Sequence, residues 1–186
     1  TACGRAHPYN GSLTPATTGM PETTSATAAP LTVMTVNTHK GFTSFNRRFI
    51  LPELRDAGRK VGADVVFLQE VLGTHEEHGK KWDDWPDAPQ YEFLADSIWP
   101  QYAYGRNVVY PKGDHGNAVM SKFPIVHFQN HDVSLPGPEK RGLLHAVLRA
   151  PGLPHDVHTI CVHLGLSESH RVQQLDLLCE MVRSEV

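Results

Sequence analysis

The sequence predicts an α/β fold in which two packed β-sheets are flanked by helices. Three observations support this class: an apolar strand, a helix and a second apolar strand come first, several short strands follow, and an amphipathic helix comes last. The chain has 186 residues, of which 40% are hydrophobic, and this is enough for one domain with a core.

Residues 1–30 differ in composition from the rest of the chain. Thr, Ala, Pro, Ser and Gly dominate them without apolar periodicity. We expect a disordered tail here, because such a segment buries too little surface to offset the entropy of ordering. The tail lacks the features of a signal peptide, and no run in the chain is long enough to span a membrane. Residues 31–186 are expected to form the domain.

The first unit of the domain is predicted as β-α-β. Its strands are Leu31–Asn37 and Val65–Glu70, and its helix is expected over Asn46–Lys60. Pro52 lies either in the first turn of that helix or at a kink. The second strand begins with an unbroken apolar run, which is typical of a strand covered on both faces.

Short strands separated by Gly, Pro and Asp turns are predicted in the second half. They are Tyr102–Tyr110, Asn117–Ser121, Val126–Val133, Gly142–Arg149 and Val157–Leu164. Residues 113–116 are assigned to a hairpin turn, and a short helix is expected at Tyr91–Trp99. The last helix is predicted at Ser169–Arg183, with an apolar face made of Val172, Leu175, Leu178, Cys179 and Val182.

Charge and cysteine content limit the possible functions. Seventeen basic and twenty acidic side chains give a formal charge of −3, which argues against a broad nucleic-acid footprint but allows a small basic phosphate cleft. The three cysteines have no paired spacing. This pattern favours a reduced compartment, and we expect a cytoplasmic protein.

Polar residues at strand ends are candidates for chemistry, but each has an ordinary structural alternative. On the residues alone, Glu70 is more readily a strand-end carboxylate paired with a cation. His163 is more readily a hydrogen-bonded core histidine, and Arg141 is equally well an exposed strand residue. The run at residues 75–78, His-Glu-Glu-His, lacks the spacing that places two imidazoles on one helix face for zinc.

Five short motifs occur in an order that resembles the endonuclease/exonuclease/phosphatase family. They are Thr35-Val36-Asn37, Phe67-Leu68-Gln69-Glu70-Val71, the run from His115 to Ile125, Arg141-Gly142, and Val162-His163-Leu164-Gly165-Leu166. The resemblance extends from Leu31 to the C-terminus. It implies a DNase I-like four-layer sandwich of two mixed sheets and metal-dependent hydrolysis of phosphodiester or phosphomonoester bonds.

The resemblance also implies roles for individual side chains. Asn37 and Glu70 would hold Mg²⁺ or Mn²⁺, cations that prefer oxygen ligands. His163 would be catalytic, by contacting the scissile phosphate and supporting proton transfer. Arg141 would bind phosphate oxygens through its planar guanidinium, and Asn117 would lie beside the substrate. The substrate class stays open among nucleic acids, phospholipids and small phosphate esters, and no specific protein partner is indicated.

One part of the family pattern is missing from residues 1–186. Members continue into a strand that ends in Gly-Asp-x-Asn and later present an Asp-His pair, and neither follows the last helix here. We therefore expect a partial sequence that is poorly active by itself, because general-base and electrostatic contributions would be lost. The alternative is a non-catalytic remnant or interaction module that keeps the first half of the fold and at most weak metal or phosphate binding.

Overall fold

The computed structural model describes residues 30–43, 45, 47–75, 77 and 81–185. The tail expected at the N-terminus therefore lies, apart from Pro30, outside the described residues. The elements are β1 (Val33–Asn37), a 3-10 turn (His39–Gly41), α1 (Leu51–Val61), β2 (Val65–His75), α2 (Gln90–Ala95), β3 (Gln101–Tyr110), β4 (Gly113–Ser121), β5 (Ile125–Asp132), β6 (Gly142–Leu148), β7 (Val157–Val162) and α3 (Glu168–Glu185). None of the described helices combines the length and the apolar character that a membrane span requires.

The described strands form two sheets. The first has the order β1-β2-β4-β3, in which β1 and β2 are parallel and the other pairs are antiparallel. The second has the order β5-β6-β7 and is antiparallel throughout. The described strands of the second sheet are antiparallel because consecutive strands follow one another through connections that reverse the chain.

Alternation of side chains along the strands creates four layers. On β2, Val66 packs against the layer of α1 and α2, while its neighbour Val65 faces the second sheet and meets Leu144 of β6. On the outer face of the second sheet, Leu143 packs against Met181 of α3. The order helix, sheet, sheet, helix confirms the predicted sandwich.

The first helix begins later than predicted. It starts at Leu51 rather than near Asn46, because Pro52 occupies its first turn. Proline is tolerated there, since the N–H that it lacks would have no partner within the helix. Gly62 ends the helix with φ 59°, a left-handed conformation that glycine adopts without strain.

The segment expected to be a turn before the third motif is part of a strand. β4 begins at Gly113, which pairs with Tyr110 across a two-residue connection. Gly116 allows close pairing with β3, because a Cβ atom there would lie 1.9 Å from the carbonyl oxygen of Gly105. The assignment of residues 113–116 to a turn was therefore wrong, and His115 belongs to the sheet.

The face of α3 that contacts the sheet also differs from the prediction. Four residues of the expected apolar face are exposed, namely Val172, Leu175, Cys179 and Val182. Gln174 and Met181 are buried instead. Gln174 Oε1 accepts a hydrogen bond from the Gly165 N–H at 2.7 Å, and its Nε2 donates to the Val133 carbonyl at 3.2 Å. A polar side chain anchors this helix, so apolar periodicity alone selects the wrong face.

The substitution Gln174→Leu tests this anchor. We expect it to lower the free energy of unfolding by about 2–4 kcal/mol, because two buried backbone groups lose their partners. Gln173→Leu is the matched control, since Gln173 is exposed on the same helix, and it should change stability by less than about 0.5 kcal/mol. Urea denaturation followed by circular dichroism measures both. Equal midpoints for the two variants would show that Gln174 does not anchor α3.

Candidate active site

A β-bulge in β2 places Glu70 beside the end of β1. The pairing of β2 with β4 shifts between Leu68 and Val71, so one extra residue is accommodated in β2. Glu70 has φ 53°, which is uncommon for a residue with a side chain. Asn37, the last residue of β1, is in parallel register with Gln69. The side chains of Asn37 and Glu70 consequently meet at the end of β1.

Thr38 satisfies the backbone of this bulge. Its hydroxyl lies 3.0 Å from the carbonyl oxygens of both Gln69 and Glu70, so one hydroxyl proton is shared between them. Its backbone N–H also donates to the Gln69 carbonyl at 2.9 Å. Thr38 is buried, and its contacts replace ladder bonds that the bulge interrupts. These bonds hold Glu70 in its strained conformation.

Three side chains contact the Glu70 carboxylate. Asn37 Nδ2 donates to Oε1 at 3.3 Å, His39 Nδ1 lies 3.3 Å from Oε2, and His163 Nε2 lies 3.7 Å from Oε1. The amide of Asn37 is fixed on its other side, because its Oδ1 accepts the His39 N–H at 2.9 Å. The structure thus brings together Asn37, Glu70 and His163, the residues that the sequence proposed for metal binding and catalysis.

The electrostatics of this group favour an ionised carboxylate and a neutral imidazole. Burial raises the pKa of Glu70, but the Asn37 hydrogen bond and the nearby His163 and His39 outweigh burial and hold that pKa below its ordinary value. Burial lowers the pKa of His163, and the positive charge of Arg141 lowers it further. A neutral imidazole beside a carboxylate can accept a proton from a reacting group.

Arg141 lies close to His163 but is held mainly by its own loops. Its Nε donates to the Leu164 carbonyl at 3.2 Å, another N–H donates to the Lys140 carbonyl at 3.0 Å, and the guanidinium lies 3.3 Å from a Glu139 oxygen. The bond to Leu164 fixes the segment directly after His163. The guanidinium keeps further N–H donors, because these contacts use only part of its five.

Asn117 is fully buried between the two sheets. It has 0% exposure, and its Nδ2 donates to the carbonyls of Gly142 at 2.9 Å and Cys161 at 3.3 Å. These bonds join the first sheet to β6 and β7, whose ends carry Arg141 and His163. The side chain of Asn117 has no exposed surface in this structure, so its place fits a positioning role, and its contact with substrate stays a prediction.

Sequence reasoning missed two residues in the turn after β1. His39 and Lys40 have φ angles of 47° and 57°, and Lys40 adds positive charge near Glu70. The buried Gln90 holds this turn, because its Nε2 donates to the Lys40 carbonyl at 2.8 Å. A His-Lys-Gly run directly after an apolar strand was the available signal.

A third residue, His115, was hidden by the assignment of its segment to a turn. Burial lowers its pKa to about 4, and the charges of Lys40, Glu70 and Arg141 also act on it. Its Nδ1 is buried and makes no hydrogen bond within the part of the chain that the structure describes. His115 therefore belongs to the surroundings of Glu70 as a neutral imidazole at physiological pH.

Thr38→Val tests whether Thr38 holds the bulge. The variant keeps the shape of the side chain but loses the hydroxyl, so we expect a loss of about 1–3 kcal/mol in stability. The control is Thr159→Val, which removes a buried hydroxyl that donates to the Ala146 carbonyl at 2.8 Å in the second sheet. Both variants should melt earlier, but only Thr38→Val should move the pKa of Glu70 back toward its ordinary value in a carboxyl NMR titration. An unchanged Glu70 titration would contradict the role of Thr38.

His115 should make stability depend on pH. An unfolded histidine titrates near 6.5 and folded His115 near 4, so the unfolded state binds more protons between these values. The free energy of unfolding should therefore fall by about 1–3 kcal/mol as the pH drops from 6.5 toward 4. Urea denaturation across this range should show a smaller fall for His115→Gln. The same slope in both proteins would show that His115 does not titrate as described.

The chain matches curated proteins from enteric bacteria that are named as uncharacterized. It is 59% identical over 150 residues to the uncharacterized protein YbhP of Escherichia coli (strain K12), and equally to that of Shigella flexneri. The alignment covers 81% of this chain and 59% of each relative. The chain thus spans about three fifths of the length of the curated relatives it matches.

Solved structures share the fold. The endonuclease/exonuclease/phosphatase from Beutenbergia cavernae DSM 12333 matches with a TM-score of 0.62 and 23% identity, over 84% of this chain and 44% of that one. D. rerio TDP2 complexed with single strand DNA product matches with a TM-score of 0.55 and 13% identity, over 84% of this chain and 56% of that one. The sequence profile of the Endonuclease/Exonuclease/phosphatase family covers residues 34–179. The DNase I-like sandwich and the sequence motifs agree with this profile. The chain therefore belongs to the endonuclease/exonuclease/phosphatase family.

Proposed function

We propose that the protein hydrolyses phosphodiester or phosphomonoester bonds with the help of a divalent cation. The observation that carries the proposal is the Glu70 carboxylate, which is contacted by Asn37, His39 and His163 at 3.3–3.7 Å. A strained bulge holds this carboxylate, and strain of this kind is concentrated at functional sites. Family membership supports the reaction class, since the family is named for nucleases and phosphatases.

The oxygen donors fit Mg²⁺ or Mn²⁺. Glu70 offers an ionised carboxylate whose side chain is 21% exposed, and Mg²⁺ in proteins is commonly held by one or two carboxylates with water and substrate phosphate. Asn37 would be the neighbouring ligand, although its Oδ1 accepts a bond from the His39 N–H in this structure. When bound, the cation would offset the negative charge that develops on the phosphate oxygens.

The surrounding side chains would bind and orient the phosphate. The neutral His163 would contact the scissile group and exchange a proton at Nε2, the atom nearest to Glu70. The free donors of Arg141 would bind phosphate oxygens, for which a guanidinium is well shaped. Asn117 would act indirectly by joining β4 to the strands that carry these two residues.

The substrate class follows from charge only in part. The formal charge of −3 disfavours a protein that follows a long nucleic-acid backbone, so we propose a substrate recognised around one phosphate, whether on a nucleic-acid end, a phospholipid or a small ester. The match to D. rerio TDP2 with its single strand DNA product supports keeping nucleic-acid ends in this group. We place the reaction in the cytoplasm, because both described cysteines are free thiols.

Glu70→Gln tests the proposal in the full-length protein. The change keeps size but removes the charge that would hold the cation, so metal-dependent turnover should fall by about 100-fold or more while the melting temperature changes little. Glu180→Gln, an exposed position on α3, is the control and should keep full turnover. The assay uses generic phosphodiester and phosphomonoester substrates with Mg²⁺ and with Mn²⁺.

Two outcomes separate the proposal from its alternative. Turnover that survives Glu70→Gln at saturating Mg²⁺ would assign the chemistry to other residues. A well-folded full-length protein that turns over neither substrate class, with or without metal, would favour the non-catalytic interaction module.

A further inference from the structure

A second group of chemically active side chains lies away from Glu70, on the outer face of the second sheet. His131 Nε2 and His145 Nδ1 lie 3.3 Å and 3.4 Å from the same oxygen, Glu185 Oε2. All three atoms fall within 4.8 Å of one another. The side chains come from three elements, namely the paired strands β5 and β6 and the helix α3 that packs on them.

The fold explains why these residues converge. His131 pairs with Leu143 on β6, and His145 lies two residues further along the same face. Leu143 contacts Met181 of α3, so this face is the one that the helix covers. Glu185 follows Met181 by four residues and therefore projects from the same side of the helix.

Two imidazole nitrogens in this group make no well-directed hydrogen bond within the described part of the chain. His131 Nε2 and His145 Nδ1 are buried, and among the described residues their contacts with Glu185 have ion-pair distances but lack the direction of a well-formed hydrogen bond. Buried polar atoms in folded proteins are almost always satisfied, and an exception needs an explanation. A cation between the three atoms would satisfy both nitrogens and the carboxylate at once.

A fourth residue orients one of the imidazoles. His145 Nε2 lies 3.0 Å from His158 Nδ1 on β7, within hydrogen-bond distance. When the proton of that bond resides on His145 Nε2, the lone pair of His145 Nδ1 faces Glu185. Histidines that bind metals commonly donate their other ring N–H in this way, which fixes their tautomer.

We propose that His131, His145 and Glu185 form a zinc site that fastens α3 to the second sheet. Two nitrogens and one carboxylate oxygen are a donor set that suits Zn²⁺ better than Mg²⁺. Ligands about 2.1 Å from a tetrahedral ion are about 3.4 Å apart, and the two contacts of Glu185 measure 3.3 Å and 3.4 Å. Water or an external ligand would complete the coordination. His158 is a positioning residue that sets the tautomer of His145.

The experiment measures metal binding without relying on enzymatic activity. The protein is first treated with chelator, and its Glu70→Gln form is used in parallel so that the cleft around Glu70 does not contribute. Zn²⁺ is titrated by equilibrium dialysis, and Co²⁺ is added as a spectroscopic substitute. We expect about one bound ion per chain, visible Co²⁺ bands of tetrahedral intensity, and a higher melting temperature with zinc.

Variants locate the ion. His131→Gln and Glu185→Gln alter partly exposed positions and should weaken zinc binding at least tenfold. His158→Phe should weaken it by about 10–100-fold, as expected for a residue that orients a ligand. His127→Gln, an exposed histidine on β5, is the matched control and should bind zinc as the parent does.

Three results would overturn the proposal. One is the absence of stoichiometric zinc binding, and another is a Co²⁺ spectrum without tetrahedral bands. The third is unchanged affinity in both His131→Gln and Glu185→Gln. Each result is independent of whether Glu70 supports phosphate-ester hydrolysis.

Discussion

The bulge at Gln69 and Glu70 is the constraint on which the arrangement of the candidate active site depends. Along β2, Val66 and Leu68 face the helical layer, so regular alternation would turn Glu70 into that apolar core. The extra residue shifts the alternation, and Val71 takes the buried place instead. The Glu70 carboxylate therefore lies beside Asn37. The bulge requires a left-handed backbone conformation at Glu70 and interrupts the hydrogen bonds between the strands. The hydroxyl of Thr38 compensates for these interrupted hydrogen bonds.

The second requirement is that the two sheets keep a fixed position relative to each other, because Glu70 and His163 belong to different sheets. Apolar contacts between sheets have little directional preference, whereas hydrogen bonds do. Asn117 supplies two such bonds, and the Cys161 thiol donates to the Leu68 carbonyl at 3.5 Å. Burial raises the pKa of Cys161 to about 12, so the thiol keeps its proton and remains a donor. These polar contacts set the position at which the end of β7 meets the bulge.

The sequence was a good guide to strands and layers because apolar runs and Gly/Pro turns report directly on burial. It was a poorer guide where a polar residue carries the structure. The sequence pattern predicts that the strand ends at Gln69 and Glu70, although β2 continues through the bulge to His75. His115 was missed because Gly113 and Gly116 suggested a turn. In the structure, Gly116 instead allows close pairing between strands. The face of α3 was misjudged because Gln174, a polar residue, anchors it through two hydrogen bonds.

The candidate site residues were recognisable from the resemblance to the family and from the position of several of them at strand ends, but their balance of charge was not. Glu70 is surrounded by His39, Lys40 and His163, and Arg141 with its partner Glu139 lies next to His163. The four basic groups therefore outnumber the two carboxylates at this point of a chain with a formal charge of −3. A divalent cation alone would approach this surface against the charges of Lys40 and Arg141. A phosphate group removes that repulsion and also provides oxygen ligands, which Mg²⁺ readily takes from its substrates. The local charge pattern is therefore better matched to a cation that arrives with a phosphate than to a cation held by the protein alone.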